Sequence, residues 1–422
     1  MGDPTHVALI SIVVLLVTLW TNEGLPLGVV SLLPLILFPA FGVITLPATA
    51  SNYSNSVIFL FLGGFMLSIA IQKTGLHRFI AEFILPKKVV TPRRIIFALG
   101  LISALLSSLL SNTTTALLLL PVALYISDER IFKARFLLAI AYGASIGGII
   151  TPIGTPPNLI LLGFMEAQGL ESVSFIKWMF MTIPLALAML AVLPFLLSIG
   201  LPRAHEKFAL EHSQVPMTKE QKKLAFTVVL LALLLLLNSP VKPWYPGLGL
   251  DEKLIMLTFG ISMFLPGINY LKWEDTKAIP YEIIFLFGAG FAIANAFMDS
   301  GLANLVATHL ESFSTVPELI LIILIAVLII FSTEVTSNTA LVSMALPIIY
   351  SLGKVSNMDT SLLLMVATIC GSYAFMLPIA TPPNAIAISS GSLKIKEMMK
   401  FGLLMNIIGI VFISLIAWFF WK

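Results

Sequence analysis

The stretch "TPIGTPPN", Thr151–Asn158, interrupts a long apolar segment of the chain, and "LPIATPPN", Leu377–Asn384, does the same further on. Each stretch contains three prolines within eight residues. Proline has no backbone N–H to donate, and its ring clashes with the preceding turn, so a single proline already kinks a helix. Three prolines in each stretch therefore predict that the apolar helices at 137–165 and 360–390 are each broken near their middle.

The composition around these stretches is that of a helical membrane protein. Of the 422 residues, 58% are hydrophobic and only 11% are charged, which is more apolar surface than a soluble domain can bury. The apolar runs are continuous, whereas the strands of a membrane barrel alternate polar and apolar residues. The net charge of +3 is small and lies in loops, so no nucleic-acid partner is expected. The single cysteine, Cys370, gives neither a disulfide framework nor a metal pattern.

Hydropathy predicts ten spans and two longer apolar segments. The spans are 7–22, 27–46, 56–74, 137–165, 173–200, 224–239, 253–269, 281–299, 360–390 and 398–421. The longer segments, 94–126 and 317–350, exceed the roughly 20 residues of one crossing. Each carries a polar cluster near its middle, "SNTTT" at 111–115 and "TEVTSNT" at 333–339. We interpret both as re-entrant hairpins with polar tips, because irregular backbone at that depth must be buried in protein or line a cavity.

The lysine and arginine residues predict the orientation. We interpret the apolar N-terminal segment as a retained span and not as a signal peptide. If the N-terminus lies outside, 19 basic residues fall on the cytoplasmic side and 5 on the outside, as the positive-inside rule requires. The hairpin at 94–126 then enters from the cytoplasm and the one at 317–350 from outside. Segment 201–223 becomes a cytoplasmic connector, and "HRFIAEFILPKK" at 77–88 predicts an amphipathic helix on that surface.

An offset of 226 positions relates the first half, 1–200, to the second half, 224–422. It places the SNT motif at 111–113 on the SNT motif at 337–339, and "PIGTPPN" on "PIATPPN". Five crossings in each half would invert the second copy relative to the first. Inverted repeats with broken helices near the midplane are the plan of secondary transporters. The predicted fold is therefore an all-α polytopic membrane protein of two inverted-topology repeats, each of about five spans, plus two re-entrant hairpins.

The hairpin tips and proline stretches combine groups that suit both an anion and a cation. Helix N-termini attract anions, whereas exposed carbonyl oxygens suit a hard cation such as sodium. The predicted core spans contain no lysine or arginine far from the membrane surface, so helix ends and bound cations would neutralise an anion. A single SNT motif would be explained by hydrogen bonding between helices. Two copies, each with its asparagine 46 residues before the asparagine of a TPPN sequence, favour a binding site instead.

Two single positions carry further expectations. Gly154 and Ala380 are related by the offset, and we expect each to supply only a backbone carbonyl oxygen, so that their difference matters little. Glu334 is the one acidic residue beside a tip, and the offset relates it to Ser108. It is either a hydrogen-bonded brace for the hairpin or a proton- or cation-binding group. The spans show no nucleophile–base pair, metal cluster or cofactor fingerprint, so an enzyme is not expected.

At these residues the chain resembles the divalent anion/sodium symporter family, whose members carry paired SNT motifs on opposed hairpins, each followed by a broken helix with a TP signature. The likeness extends from about residue 7 to the end of the chain. It implies a homodimer in the lipid bilayer, in the inner (plasma) membrane of a bacterium or archaeon. It also implies an elevator mechanism, with a fixed scaffold domain and a moving transport domain.

The resemblance further implies a substrate and its site. Sodium-coupled uptake of a C4-dicarboxylate, such as succinate, fumarate or malate, is the leading expectation, without an organic cofactor. Transport of sulfate, another oxyanion or citrate, anion exchange, and proton/cation antiport are the alternatives. The substrate-binding residues would be Ser111, Asn112, Thr113, Thr155, Ser337, Asn338, Thr339, Thr381 and Pro382. One sodium ion would lie among Ser107, Ser111, Asn112 and Gly154, and another among Thr333, Thr336, Ser337, Asn338 and Ala380.

Overall fold

A computed structural model describes residues 3–22, 24–84, 90–201, 216–240, 244–309, 316–356 and 358–421. Most of the predicted connector 201–223 and the end of the predicted amphipathic helix 77–88 lie outside these residues. Every regular element of the described chain is helical, and this part contains no β-strand.

Within the described residues, eleven α-helices end before residue 201 and nine begin after residue 216. The first group comprises α1 (Pro4–Asn22), α2 (Leu27–Leu32), α3 (Pro34–Ala40), α4 (Leu46–Ser51), α5 (Ser56–Thr74), α6 (Leu76–Ile84), α7 (Pro92–Ser107), α8 (Asn112–Tyr125), α9 (Arg130–Gly148), α10 (Pro156–Ala167) and α11 (Phe175–Leu197). The second group comprises α12 (Lys219–Asn238), α13 (Glu252–Ser262), α14 (Tyr281–Asp299), α15 (Leu302–His309), α16 (Glu318–Thr333), α17 (Asn338–Val355), α18 (Thr360–Gly371), α19 (Pro382–Ser389) and α20 (Ile395–Phe420).

Five helical segments of the described chain are long and apolar enough to cross a membrane unaided. They are Leu46–Thr74, Arg130–Gly148, Phe175–Leu197, Tyr281–Asp299 and Ile395–Phe420. Large apolar side chains point outward from the fold, and Phe180 and Phe420 are both more than 70% exposed. Such faces suit contact with lipid tails.

The predicted spans at 27–46 and 253–269 are not continuous helices. The first is divided at Leu33 into α2 and α3, where Pro34 begins the second helix. The second, α13, ends at Ser262. Its 11 residues extend about 16 Å, well short of the roughly 30 Å hydrocarbon core. The chain beyond α13 turns instead, through Gly267 and Asn269, which both have positive φ angles.

The segments predicted as hairpins each contain two helices joined by a short tip. Segment 94–126 holds most of α7 and all of α8, and segment 317–350 holds α16 and most of α17. Ser111 caps α8 by accepting a hydrogen bond from the Thr114 N–H at 3.1 Å. Helices α7 and α16 begin 226 positions apart, and so do α8 and α17.

The two proline stretches separate helices as predicted. Helix α9 ends at Gly148 and α10 begins at Pro156, while α18 ends at Gly371 and α19 begins at Pro382. Proline suits the first position of a helix, since the N–H that it lacks would have no partner there. The long helix α9 packs closely on α7: a Cβ on Gly147 would lie 2.1 Å from the Ala104 carbonyl oxygen. This crossing therefore requires glycine.

Candidate functional site

A cavity of about 860 Å³ lies where the hairpin tips meet the proline stretches. Twelve of the fourteen predicted site residues line it, from both halves of the chain. They are Ser111, Asn112, Thr113, Gly154, Thr155, Thr336, Ser337, Asn338, Thr339, Ala380, Thr381 and Pro382. The structure thus brings together residues that are separated by more than 200 positions in the sequence.

The remaining two predicted residues, Ser107 and Thr333, lie behind the cavity wall and are fully buried. Each contacts the asparagine of its own tip. Ser107 Oγ donates to Asn112 Oδ1, and Thr333 Oγ1 lies within hydrogen-bond distance of Asn338 Oδ1 at 2.6 Å and of the Gly371 carbonyl oxygen at 3.0 Å. These two buried hydroxyl groups hold the side chains of the tip asparagines in position from behind the cavity wall.

Four helices begin at the cavity wall. Helices α8 and α17 start at Asn112 and Asn338, and α10 and α19 start at Pro156 and Pro382. A helix N-terminus carries a positive partial charge of roughly half an elementary charge. Helices α10 and α19 each begin with two prolines, which have no N–H to donate. The hairpin tips therefore offer backbone hydrogen-bond donors to an anion, whereas the proline helices contribute mainly their dipoles and the hydroxyl groups of Thr155 and Thr381.

Another part of the cavity wall comes from elements for which no site residue was predicted. Trp20 at the end of α1, Phe61 and Ser68 on α5, and Ile283 on α14 all line the cavity. None of the described lining residues carries a full charge. The only charges available to a bound anion are thus helix dipoles and any cations that bind with it.

Two asparagines clamp the broken-helix loops. Asn158 Nδ2 donates to the carbonyl oxygens of Gly148 at 3.0 Å and Thr151 at 2.9 Å. Asn384, 226 positions later, donates to the two carbonyl groups that the offset relates to these, at 3.1 and 3.0 Å. Both asparagines are fully buried. The last residue of each TPPN sequence, to which no role was assigned from the sequence, therefore fixes the shape of its loop.

Gly154 and Ala380 are not interchangeable. A Cβ on Gly154 would lie 2.4 Å from the Gly148 carbonyl oxygen, closer than real Cβ contacts come. Ala380 carries a Cβ at the related position, at the end of a short 3₁₀ turn, Pro378–Ala380. The expectation that this difference matters little is therefore wrong, because the first loop folds back more tightly than the second and has no room for a methyl group.

Glu334 braces the second hairpin against the second broken helix. Its carboxyl oxygens accept hydrogen bonds from the backbone N–H groups of Phe375, Met376 and Leu377 at 2.8–3.1 Å. A further bond comes from Asn406 Nδ2 on α20 at 2.7 Å. The side chain is buried. This geometry matches the brace interpretation of the sequence.

One buried cation lies inside a helix where the sequence placed none. The predicted span began at residue 137, but α9 begins at Arg130, so Arg135 falls within the helix and is only 7% exposed. Its guanidinium carbon lies 4.0 Å from the centroid of the Phe401 ring on α20. Arg135 does not line the cavity. It packs between α9 and α20 instead.

The oxygen atoms around each tip are of the kind that can coordinate a sodium ion. They are neutral hydroxyl, amide and carbonyl oxygens, the ligands that hard cations prefer. Gly148 lies close to the first tip, since a Cβ there would lie 3.0 Å from Asn112 Oδ1. If sodium ions bind at the tips, the ligands predicted from the sequence are Ser107, Ser111, Asn112 and Gly154 for one ion and Thr333, Thr336, Ser337, Asn338 and Ala380 for the other.

Comparisons with known proteins relate this chain to transporters. The sequence profile of the citrate transporter family matches residues 13–369. A sodium-dependent dicarboxylate transporter, SdcS, of Staphylococcus saprophyticus is 32% identical, over 98% of this chain and 86% of its own length. SdcS of Staphylococcus aureus strain USA300 is 32% identical over 98% of this chain and 85% of its own length.

Two solved structures share the fold. The YdaH transporter of Alcanivorax borkumensis superposes with a TM-score of 0.60 at 16% identity, over 99% of each chain. MtrF of Neisseria gonorrhoeae, described as an antimetabolite efflux pump, superposes with a TM-score of 0.63 at 14% identity, over 99% of this chain and 95% of its own. The chain is thus an integral protein of the plasma membrane with a transporter fold, and it belongs to the divalent anion/sodium symporter family.

Proposed function

We propose that this protein imports a C4-dicarboxylate together with sodium ions. The observation that carries the proposal is the convergence of four helix N-termini and neutral oxygen donors on a cavity whose described walls carry no full charge. A divalent anion in such a cavity needs more countercharge than the partial charges of the helix ends, and bound cations can supply the remainder. The names of the two similar staphylococcal transporters support both the sodium and the dicarboxylate.

In this proposal the two hairpin tips each bind one carboxylate group. The N–H groups at the start of α8 and α17, with the hydroxyl groups of Ser111, Thr113, Ser337 and Thr339, donate hydrogen bonds to the carboxylate oxygens. Charge-assisted bonds of this kind are about twice as strong as bonds between neutral groups. A substrate with two carboxylates would engage both halves of the protein at once.

The transport cycle in this proposal is an elevator motion within a homodimer. The paired helix starts at 226 positions support two inverted repeats, in which the hairpins and broken helices move as one body. Trp20 and Ile283, which line the cavity, lie at helix ends that the charge pattern assigns to the cytoplasm, and Ser68 lies in the half of α5 nearer that side. These positions support an inward-facing state.

A polar contact lies at the helix ends that the same charge pattern assigns to the outside. Glu166, in the last turn of α10, accepts a hydrogen bond from Lys253 Nζ on α13 at 2.8 Å and one from Ser56 Oγ on α5 at 2.9 Å. In the elevator proposal this contact joins the moving body to the scaffold on the side opposite the open cavity, so it would close the outer side.

Uptake into proteoliposomes tests the proposal. We expect a sodium gradient to drive accumulation of labelled succinate. Replacement of the sodium by choline should abolish this accumulation. Competition by unlabelled citrate or sulfate would indicate a citrate or sulfate transporter instead. Uptake driven only by an internal anion would indicate an anion exchanger. Asn112→Ala and Asn338→Ala should each abolish uptake while the proteins remain folded and monodisperse. Normal uptake by either variant would refute the assignment of the tips as the binding site.

A further inference from the structure

We infer that Glu252 is a proton-binding site at the outer boundary between the moving body and the scaffold, and that its protonation holds the outer side closed. The inference rests on the proposed elevator motion and adds to it a group that responds to the pH outside. Glu252 does not line the substrate cavity, and the proposed binding of dicarboxylate and sodium makes no use of it.

Glu252 lies where two packed bodies meet. It is the first residue of α13, which packs on α5 so closely that a Cβ on Gly260 would lie 2.6 Å from the Gly63 Cα atom. The start of α11 contacts Glu252, and α11 itself packs on α7, α9 and α20. In the elevator proposal α5 and α13 therefore belong to the scaffold, whereas α11 moves with the first hairpin and the first broken helix.

Two contacts at the start of α11 cross this boundary. The Phe175 N–H donates a hydrogen bond to Glu252 Oε2 at 2.7 Å. Ser174, the N-cap of α11, places its Oγ atom 2.9 Å from Ser239 Oγ, directly after α12. Like the Glu166 contact described above, both lie on the side that the charge pattern assigns to the outside. They must break when α11 moves away from α13.

The surroundings of Glu252 disfavour a negative charge while the boundary is closed. Its Oε1 atom is buried and has no hydrogen-bond partner among the described residues, which is costly for a carboxylate. Burial, with a smaller contribution from the Asp251 carboxylate, raises the pKa of Glu252 to about 7, although the Phe175 N–H opposes this shift. Glu252 precedes the predicted span 253–269, so water would surround its carboxyl group once the boundary opens.

No neighbouring cation neutralises Glu252 in the described part of the chain, where it forms no ion pair. Lys253 donates instead to Ser56 Oγ at 2.9 Å and to Glu166 Oε1 at 2.8 Å. The charged side chains on the elements around Glu252 are Asp251 and Lys253 beside it, Glu166 on α10, Glu171 before α11 and Lys177 on α11.

The direction of the pH effect follows from the two forms of the boundary. Burial raises the pKa of Glu252 to about 7 in the closed form, whereas in water the carboxyl group keeps its ordinary pKa near 4.5. The form that binds the proton more tightly is favoured as the pH falls, so acid closes the outer side. From pH 8 to pH 6 the ratio of closed to open molecules should rise by roughly tenfold. The rise ends as the pH approaches 4.5, where both forms become protonated.

A distance measured across the boundary tests the inference. Ser54 before α5 and Ser172 before α11 are both exposed, and cysteine substitutions there accept spin labels, while Cys370 is buried. Double electron–electron resonance on the labelled protein in nanodiscs, without sodium or dicarboxylate, gives the ratio of short to long distances. We expect this ratio to rise by roughly tenfold between pH 8 and pH 6.

Substitution of Glu252 should remove this response. Glu252→Gln stays neutral and keeps an acceptor for the Phe175 N–H, so its ratio should equal the acid value at both pH values. Asp251→Asn keeps a cap for α13 and removes the neighbouring charge, so the midpoint of the response should move to lower pH. If Glu252→Gln does not fold, Glu252→Ala takes its place, since it also lacks a proton-binding group.

Glu166→Gln is the matched control, because it neutralises another carboxylate at the same boundary. It should lower the ratio equally at both pH values and keep the roughly tenfold response. Three results would overturn the inference: a ratio that does not depend on pH in the unmodified protein, an unchanged response in Glu252→Gln, and an equal loss of the response in Glu166→Gln.

Sodium-driven succinate uptake by the same protein separates this inference from the proposed function. Uptake together with a ratio that does not depend on pH would refute only the role of Glu252. A pH-dependent ratio that disappears in Glu252→Gln, without uptake at any pH, would support the proton site and refute sodium-coupled dicarboxylate transport.

Discussion

Replacing Gly154 by alanine is the sharpest test of the first broken-helix loop. The added Cβ would lie 2.4 Å from the Gly148 carbonyl oxygen and 3.0 Å from its carbonyl carbon. Relief requires the two backbone segments to separate by roughly 0.6–1 Å, since real Cβ contacts essentially never come closer than 3.0 Å. Asn158 holds that same carbonyl group at 3.0 Å, so the separation would strain the clamp as well.

We expect Gly154→Ala to cost about 1–3 kcal/mol, the usual cost of overpacking. Because the strain falls on a wall of the cavity, it should appear in function as well as stability. A loss of about 1.4 kcal/mol at the site corresponds to a tenfold loss of affinity. Sodium-driven uptake in proteoliposomes should therefore fall by roughly fivefold or more, with a raised sodium requirement.

The matched control is Ala380→Gly, which removes a methyl group that the second loop accommodates. It should leave uptake within about twofold of the unmodified protein, apart from the small backbone cost of glycine. If Gly154→Ala transports normally, the tight first loop is not needed for the site. If both variants fail equally, loop flexibility matters and the crowding at Gly148 does not.

Two other contacts make separate predictions. Asn158→Asp replaces two buried N–H donors by oxygens that face carbonyl groups, so the free energy of unfolding should fall by roughly 2–4 kcal/mol; a thermal unfolding midpoint equal to that of the unmodified protein would show that the clamp contributes nothing. Lys253→Gln and Glu166→Gln should each shift the population toward the outward-facing state by roughly two- to fivefold, because an exposed ion pair contributes up to about 1 kcal/mol. Labelling of cysteines introduced on the outer surface measures the shift, and the double variant should shift no further than either single one; strictly additive shifts would mean that the pair does not act as a unit.

The sequence predicted the helix breaks well and their packing poorly. Prolines act locally, so the starts of α10 and α19 could be predicted to the residue from Pro156 and Pro382. The crowding at Gly154 could not, because it depends on how far the loop folds back toward a residue six positions earlier. The short helix α13 was missed for a similar reason: apolar residues continue past Ser262, and hydropathy does not register the turn at Gly267.

The part of the cavity wall formed by α1, α5 and α14 could not be predicted from the sequence either. Nothing in the local sequence of α1 marks Trp20 as a site residue, since an aromatic residue near the end of a span is a common membrane-interface anchor. Its place in the cavity wall follows from the packing of α1–α4 against α14. The hairpin tips were predictable because their motif occurs twice at one offset, whereas Trp20 has no such repeat to reveal it.

The uncharged cavity wall has a consequence for energy conservation in the proposed cycle. A lysine or arginine beside the tips would bind the dicarboxylate without sodium, and the carrier could then return loaded and dissipate the gradient. With helix ends alone, the anion is poorly held until the cations arrive, and it loses its hold when they leave. The tight coupling between ion and substrate would then result from the lack of basic side chains in the described cavity wall. A single lysine or arginine substitution in the cavity wall would be expected to allow dicarboxylate transport without sodium, so that the protein could no longer concentrate its substrate.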